Sequence, residues 1–385
     1  MPSRAYVVPW FLVAAACSGD AAGRSAVPSE IAVDTLAEPS AEFAEPFDRV
    51  AAVRELGDGR VLVADAGGRS VVLADFERGE LTPVGREGSG PTEYAFPRNL
   101  LALPGDTTWI DDPMQRRFLV VGPDGQPDST VAFPADAGIG DFRGTDAQGR
   151  VYYQASPFRI GDAPPETMPD SAPVVRWDRA AGFDTVAMIK LPATSTQTSE
   201  AGGTRLMMRR AQPFSAADAW TVGADGRVAV ARVADYRIEW HGGSAPVRGT
   251  AVEYEPVPVS QVDRDRTIEA MSSGRGTIRM TFGSGGRNMP APPPPSEADF
   301  DFPEFKPPFV ANQVLVAGDG TVWVQRSGPA DAAPQYDVFD GRGELVRQVV
   351  LPERVRVVGF GRGVVYVSRT DHDGLQWLGR YQGFP

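Results

Sequence analysis

Cysteine, histidine and lysine are nearly missing from this 385-residue chain. The single cysteine, Cys17, excludes internal disulfides and any cysteine-built metal cluster. Two histidines, His241 and His372, are too few for most zinc sites. Lys190 and Lys306 are the only lysines, so arginine supplies almost all of the 38 basic side chains. Fifty acidic residues outnumber them, and a net charge of −12 excludes a nucleic-acid binder, which needs a clustered cationic face. The uncharged apolar run from Ala5 to Ala16 falls short of the roughly 20 residues a membrane helix requires. What is abundant is turn-forming residues: 42 glycines and 35 prolines make a fifth of the chain, which favours many short strands over long helices. Hydrophobic residues at 42% and charged residues at 23% are globular values. At about 150 residues per domain the length alone suggests two or three domains.

Residues 1–16 read as a secretory signal peptide, with Arg4 before a twelve-residue apolar run and small residues at its end. The sequence Val13-Ala14-Ala15-Ala16-Cys17-Ser18 resembles a bacterial lipobox, whose thiol is lipidated and becomes the mature N-terminus. Ala14 stands where that pattern has Leu or Val. Ordinary cleavage after Ala16 is the alternative, since Ala14 and Ala16 also satisfy the small-x-small rule. Cys17 is the expected lipid-attachment residue, and residues 17–30 are the expected flexible tether. Ser18 in place of Asp leaves out an inner-membrane retention signal. The expected location is therefore outside the cytoplasm, lipid-anchored at the outer membrane and facing the periplasm or the cell surface.

A polar turn followed by a β run occurs six times. It reads Gly57-Asp-Gly-Arg-Val-Leu-Val63, Gly105-Asp-Thr-Thr-Trp-Ile110 and Gln148-Gly-Arg-Val-Tyr-Tyr153. It returns as Asp225-Gly-Arg-Val-Ala-Val230, Asp319-Gly-Thr-Val-Trp-Val324 and Arg362-Gly-Val-Val-Tyr-Val367. Asp-Gly predicts a type I′ hairpin turn with φ > 0 at both central residues. Spacings of 47, 43, 77, 94 and 43 between Gly59, Asp106, Gly149, Gly226, Gly320 and Gly363 suit four-stranded propeller blades, two of them followed by insertions. The last copy has only three strands, and Ile31 to Leu36 is expected to supply its fourth, removing the open sheet edge. The prediction is an all-β, six-bladed β-propeller over residues 31–385, closed by the N-terminal strand. Its insertions fall at about 192–214 and 260–309, the second carrying a helix and a proline-rich stretch between blades 4 and 5.

Gly59-Arg-Val-Leu-Val-Ala-Asp65 through Arg69 resembles the NHL repeat, and Asp112 to Arg116 keeps the same Asp-to-Arg spacing. Gly85-Arg-Glu-Gly-Ser-Gly-Pro-Thr-Glu93-Tyr94 resembles the segment between the first two blades of bacterial six-bladed β-propeller lipoproteins, within the TolB-like propeller superfamily. The resemblance covers about residues 40–385. It implies export and surface anchoring, and a structural Asp–Arg pair pinning a turn at Asp65 and Asp112.

Blade topology places the blade-to-blade links and the second-to-third strand loops on one face, and the Asp-Gly turns on the other. The longer insertion opens with a capping-box pattern, Ser260 to Asp263, ahead of a helix to about Met271. Phe300, Phe302, Phe305 and Phe309 follow among prolines, either as a lid over a ligand pocket or as a strap plugging the channel. Arg86, Glu93, Tyr94, Arg98, Arg232, Tyr236 and Arg326 fall on the insertion-bearing face, as do Arg209 and Arg210. The first seven are the candidate ligand-binding residues, suited to carboxylate or phosphate recognition. Replacing Arg86, Arg98 and Arg232 is expected to weaken binding while shifting stability by under about 0.5 kcal/mol.

No catalytic residue is predicted. His241 and His372 read as exposed turn histidines. Propeller lactonases that resemble this fold use calcium; Asp65, Asp111, Asp112, Asp141 and Asn312 are the oxygens that could hold it, although no cofactor is the leading expectation. The leading reading is a monomeric binding module for an envelope protein, peptide or glycan, touching the membrane only through its lipid anchor. The alternatives are a divalent-metal-dependent hydrolase, lactonase or lyase, and a purely structural envelope protein.

Overall fold

The computed structural model describes residues 31–134, 137, 140–156, 169–201, 204–272 and 296–383, with backbone alone for 196–211. The signal peptide, Cys17 and the tether through residue 30 lie outside these residues, as do 273–295 of the second insertion. Among the described residues no helix is long and apolar enough to cross a membrane.

Six four-stranded antiparallel blades succeed one another along the chain. Their innermost strands are Val50–Glu55, Asn99–Ala102, Asp141–Thr145, Ala219–Val222, Phe309–Val316 and Val355–Gly361. Each packs beside the next, and the sixth packs beside the first, so the ring is closed. One cluster of buried apolar side chains fills each of the six seams between blades. Both faces of a blade are thereby covered, which is why second strands such as Val61–Asp65 and Thr108–Asp112 are buried at every residue. The same packing explains why the repeats read as continuous apolar runs (Val-Leu-Val, Val-Tyr-Tyr) rather than as alternation.

The repeat turn at Gly105 and Asp106 has positive φ at both residues, 72° and 63°, as the type I′ expectation requires, but four others differ. Leu56 N–H bonds to Arg60 O, and Gly59 N–H bonds back to Leu56 O. The same pair of bonds recurs around Gly149, Gly226 and Gly320. In these turns only the glycine has positive φ, 89° at Gly59 and 83° at Gly320. They are type I turns closed by a left-handed glycine. In three of them the aspartate stays in ordinary space because its carboxylate accepts the N–H two residues on, as Asp58 does from Arg60, Asp225 from Arg227 and Asp319 from Thr321.

Closure also differs in register. Ala32–Thr35 lies parallel against Leu345–Val350 as a fifth strand of blade 5, not in the last blade. Ala41–Glu42 pairs antiparallel with Gln376–Gln382 and completes blade 6. Leu36 is buried in the seam between blades 5 and 6, while Phe43 and Phe47 are buried in the seam between blades 6 and 1. Pro39 and Pro46 flank the closing strand and limit it to two ladder residues, so it leaves no period-2 signal in the sequence.

The first insertion is a hairpin, Thr194–Ala201 with Thr204–Ala211, between blades 3 and 4. The second contains the helix Gln261–Ser272 between blades 4 and 5. Its capping box forms as read: Asp263 N–H donates to Ser260 Oγ, and Ser260 N–H donates to Asp263 Oδ2 at 2.9 Å.

Candidate functional site

A cavity of about 3720 Å³ runs along the ring axis and is lined by the innermost strands of all six blades. On the insertion-bearing face its lining includes Asp263, Arg266 and Lys306, and on the opposite face the turn at Asp319 and Gly320. The insertion is held there by charge. Lys306 Nζ donates to Asp263 Oδ1 at 2.6 Å and to Gly328 O, with both side chains buried. Arg266 reaches Ala330 O and Asp331 in a loop of blade 5. Phe302 packs against both Phe300 and Phe214, so these phenylalanines bind the insertions to each other; Phe305 is exposed and Phe309 begins blade 5.

The seven ligand-binding candidates fall into separate clusters. Of them, only Arg98 and Arg326 line the cavity. Arg86 is 81% exposed and forks onto Glu93 Oε1, while Glu93 Oε2 accepts the Gly90 N–H at 2.7 Å. These contacts, with the Arg86 charge, hold the Glu93 carboxyl below its ordinary range. A Cβ at Gly88 would lie 2.1 Å from the Glu93 carboxylate, so a side chain there would displace that carboxylate from its contacts with Arg86 and Gly90. Tyr94 is 2% exposed; its ring fills the seam between blades 1 and 2, and its hydroxyl accepts the Val71 N–H. Arg232 bridges Asp218 and Glu239 at 2.9 and 2.8 Å and donates to Met188 O. Tyr236 is fully buried, and its hydroxyl donates to Asp337. Arg326 Nε bonds the same carboxylate, and its Nη2 donates to Glu253 O. The side chains of Arg209 and Arg210 lie outside the described residues.

Two sequence readings need correction. The Asp65 and Asp112 carboxylates do pin turns, but through backbone N–H donors rather than arginine. Asp65 accepts from residues 48, 49, 67 and 68, and Asp112 from 95 and 96. Arg69 pairs with Glu87 instead, and both Arg69 and Arg116 take positive φ at the turn. His372 is exposed as read, whereas His241 is only 12% exposed beside Glu239 and Arg232. Burial and the Arg232 charge push the His241 imidazole below its ordinary value.

The calcium set does not assemble. The oxygens of Asp65 and Asp112 are taken by backbone amides, and Asp111 is paired with Arg98. Among the described residues no three His, Cys, Asp or Glu side chains converge as a metal site.

Asp111 lies behind the cavity-lining Arg98. It has no exposed surface, one oxygen bonded to Arg98 at 2.6 Å and the other without a partner among the described residues. Burial pushes its carboxyl up to about 7, and Arg98 opposes the rise without cancelling it. The stability supplied by protonated Asp111 is full below the unfolded-chain value near 3.8 and is lost as pH rises through about 7. Asp111→Asn is expected to flatten the fall in Tm between about pH 4 and pH 7 by several degrees. Thermal melts across that window check it, and an unchanged slope refutes the assignment.

No family model and no curated protein matches the sequence. Among solved structures the chain is similar to a gluconolactonase from Xanthomonas campestris, with 12% identity, TM-score 0.44 and coverage of 91% of this chain and 97% of that one. It is similar to a Bacteroides fragilis protein assigned as exported, with 11% identity, TM-score 0.47 and coverage of 91% and 98%. A third is virginiamycin B lyase from Staphylococcus aureus, with 10% identity, TM-score 0.39 and coverage of 90% and 87%. At such identity and superposition the likeness says nothing about which residues act.

Proposed function

We propose that this propeller is an exported, lipid-anchored binding module of the cell envelope that takes its ligand at the channel mouth on the insertion-bearing face. The observation that carries the reading is the cavity itself, long enough to cross the ring and edged on that face by both blade residues and insertion residues. A rigid ring that carries variable loops around one opening is a scaffold for recognition. Lys190, Arg98 and Arg326 at this mouth suit a ligand bearing carboxylates, on a protein, peptide or glycan. Export and attachment through Cys17, like kinship with the NHL lipoproteins, rest on the sequence motifs above.

Footprinting of the full-length chain with short glutamate peptides tests the reading. Protection is expected at Lys190, Arg98 and Arg326, together with a rise in Tm. Protection confined to the turns at Gly57–Gly59 and Asp319–Gly320 would falsify it.

Asp111 favours a second reading, that the same channel performs lactone hydrolysis or lyase chemistry. Its carboxyl lies behind the cavity-lining Arg98 and exchanges its proton near neutrality, a property suited to general acid–base work. Turnover of gluconolactone that disappears in Asp111→Asn would move the assignment to an enzyme.

A further inference from the structure

Arginines on the cavity wall fall into two kinds. Arg98, Arg143 and Arg326 each face a carboxylate, at 2.6, 2.8 and 2.5 Å. Arg356, in the innermost strand of blade 6, faces none among the described residues. Its Nη2 donates to Val50 O across the seam with blade 1 and to Gln376 Oε1 at 3.3 Å. Gln376 Oε1 is fixed in turn by the Val50 N–H and the Ser368 hydroxyl. The guanidinium is therefore held in place by neutral groups. Its Nε and Nη1 make no hydrogen bond among the described residues, yet neither is sealed from solvent. Arg49, Val50, Arg356 and Gln376 all line the cavity. Burial weakens the hold of Arg356 on its proton, and the nearby Arg49 charge weakens it further. A half-buried cation without a counter-charge has lost part of its hydration, which an anion can restore.

We propose that Arg356, held by Gln376 and Val50 and flanked by Arg49, is a carboxylate-binding subsite at the seam between blades 6 and 1. The inference rests on the binding-module reading and deepens it by naming where in the channel the anionic group sits. A singly charged carboxylate is the anion of choice. Asp48, Asp371 and Asp373 line the same side of the cavity, and the chain carries a net charge of −12, which disfavours a doubly charged phosphate. The Val355-Arg-Val-Val358 segment carries the only sequence signal, a charge inside an innermost strand that is otherwise apolar.

The test uses the full-length chain, phenylglyoxal as an arginine reagent and peptide mass analysis, with acetate, succinate and inorganic phosphate as probes. Succinate or acetate is expected to protect Arg356 saturably and to leave the exposed Arg86 fully reactive. Gln376→Glu keeps every acceptor contact but sets a carboxylate against Arg356, so carboxylate protection should fall at least tenfold in apparent affinity. Arg356→Gln should lose binding in equilibrium dialysis with labelled succinate, and Arg86→Gln should keep it. Equal protection of Arg356 and Arg86, or a folded Gln376→Glu that binds succinate as the parent does, overturns the subsite. Tighter protection by phosphate than by either carboxylate overturns the ligand class. Should glutamate peptides still protect the channel mouth while Arg356 is indifferent to carboxylates, the subsite fails and the binding module stands. Should neither occur, both fall.

Discussion

Deleting residues 31–47 is expected to abolish cooperative unfolding, whereas deleting 31–38 lowers Tm by several degrees and leaves a folded ring. The shorter deletion removes the parallel strand Ala32–Thr35 and the buried Leu36, whose N–H bonds to Val350 O. Blade 5 keeps its other four strands. The longer deletion also removes Ala41–Glu42, Phe43 and Phe47. Phe43 and Phe47 donate their N–H groups to Leu378 O and Gln376 O, and Gln376 returns one to Phe47 O. Phe43 packs edge-on against Phe76 of blade 1, with ring centroids 4.4 Å apart, so this segment seals blade 6 onto blade 1. Losing a buried phenylalanine costs about 3–5 kcal/mol. Two of them approach the whole stability of a domain, about 5–15 kcal/mol. The bared edge of Gln376–Gln382 would then invite aggregation. Calorimetry of the two truncations decides the matter; equal losses would place closure in residues 31–38 instead.

The ring was legible because its signal repeats. Six second strands buried on both faces must each be apolar, and each must leave a turn that only a narrow set of residues makes. The closing strand carries no such signal: two residues between prolines have no period, and Phe43 and Phe47 show their role only through their partners in blades 6 and 1. At Asp58, Asp225 and Asp319 the position of the turn is legible but its geometry is not, because the sequence does not reveal that the carboxylate folds back onto the chain. The candidate site was less legible for a related reason. Position on the insertion-bearing face follows from topology, so arginines at strand ends could be picked out. Their partners follow from packing: Asp337 receives the Tyr236 hydroxyl from 101 residues away. Tyr94 and Tyr236 read as candidate ligand-binding residues, yet each spends its hydroxyl inside a seam. Arg356 stands inside the strand Val355–Gly361, where the sequence pattern does not mark it as a binding residue.

Those hidden partners change what arginine substitutions should do. Arg86 is 81% exposed, and Arg86→Ala is still expected to shift stability by under about 0.5 kcal/mol. Arg232 is different. It is the shared counter-charge of Asp218 and Glu239, whose side chains are 7% and 10% exposed. Arg248, the other arginine on Glu239, is 70% exposed and too screened to replace it. Arg232→Ala leaves two nearly buried carboxylates facing each other, at a cost of about 3 kcal/mol or more. The largest loss belongs to Asp337, which has no exposed surface and accepts from Tyr236, Arg326 and Gln348, tying blade 4 to blade 5. Asp337→Ala strands a guanidinium, a phenol and an amide at once, for an expected loss of about 3–5 kcal/mol. Urea unfolding of the three variants should rank them Arg86→Ala, Arg232→Ala, Asp337→Ala in rising damage. An Asp337→Ala protein as stable as its parent would show that these bonds do not hold the seam, and Arg326 would then be free for a ligand. If the ranking holds, a binding defect in Arg232→Ala or Arg326→Ala is not by itself a contact with ligand, because the same substitution loosens the wall on which the ligand rests.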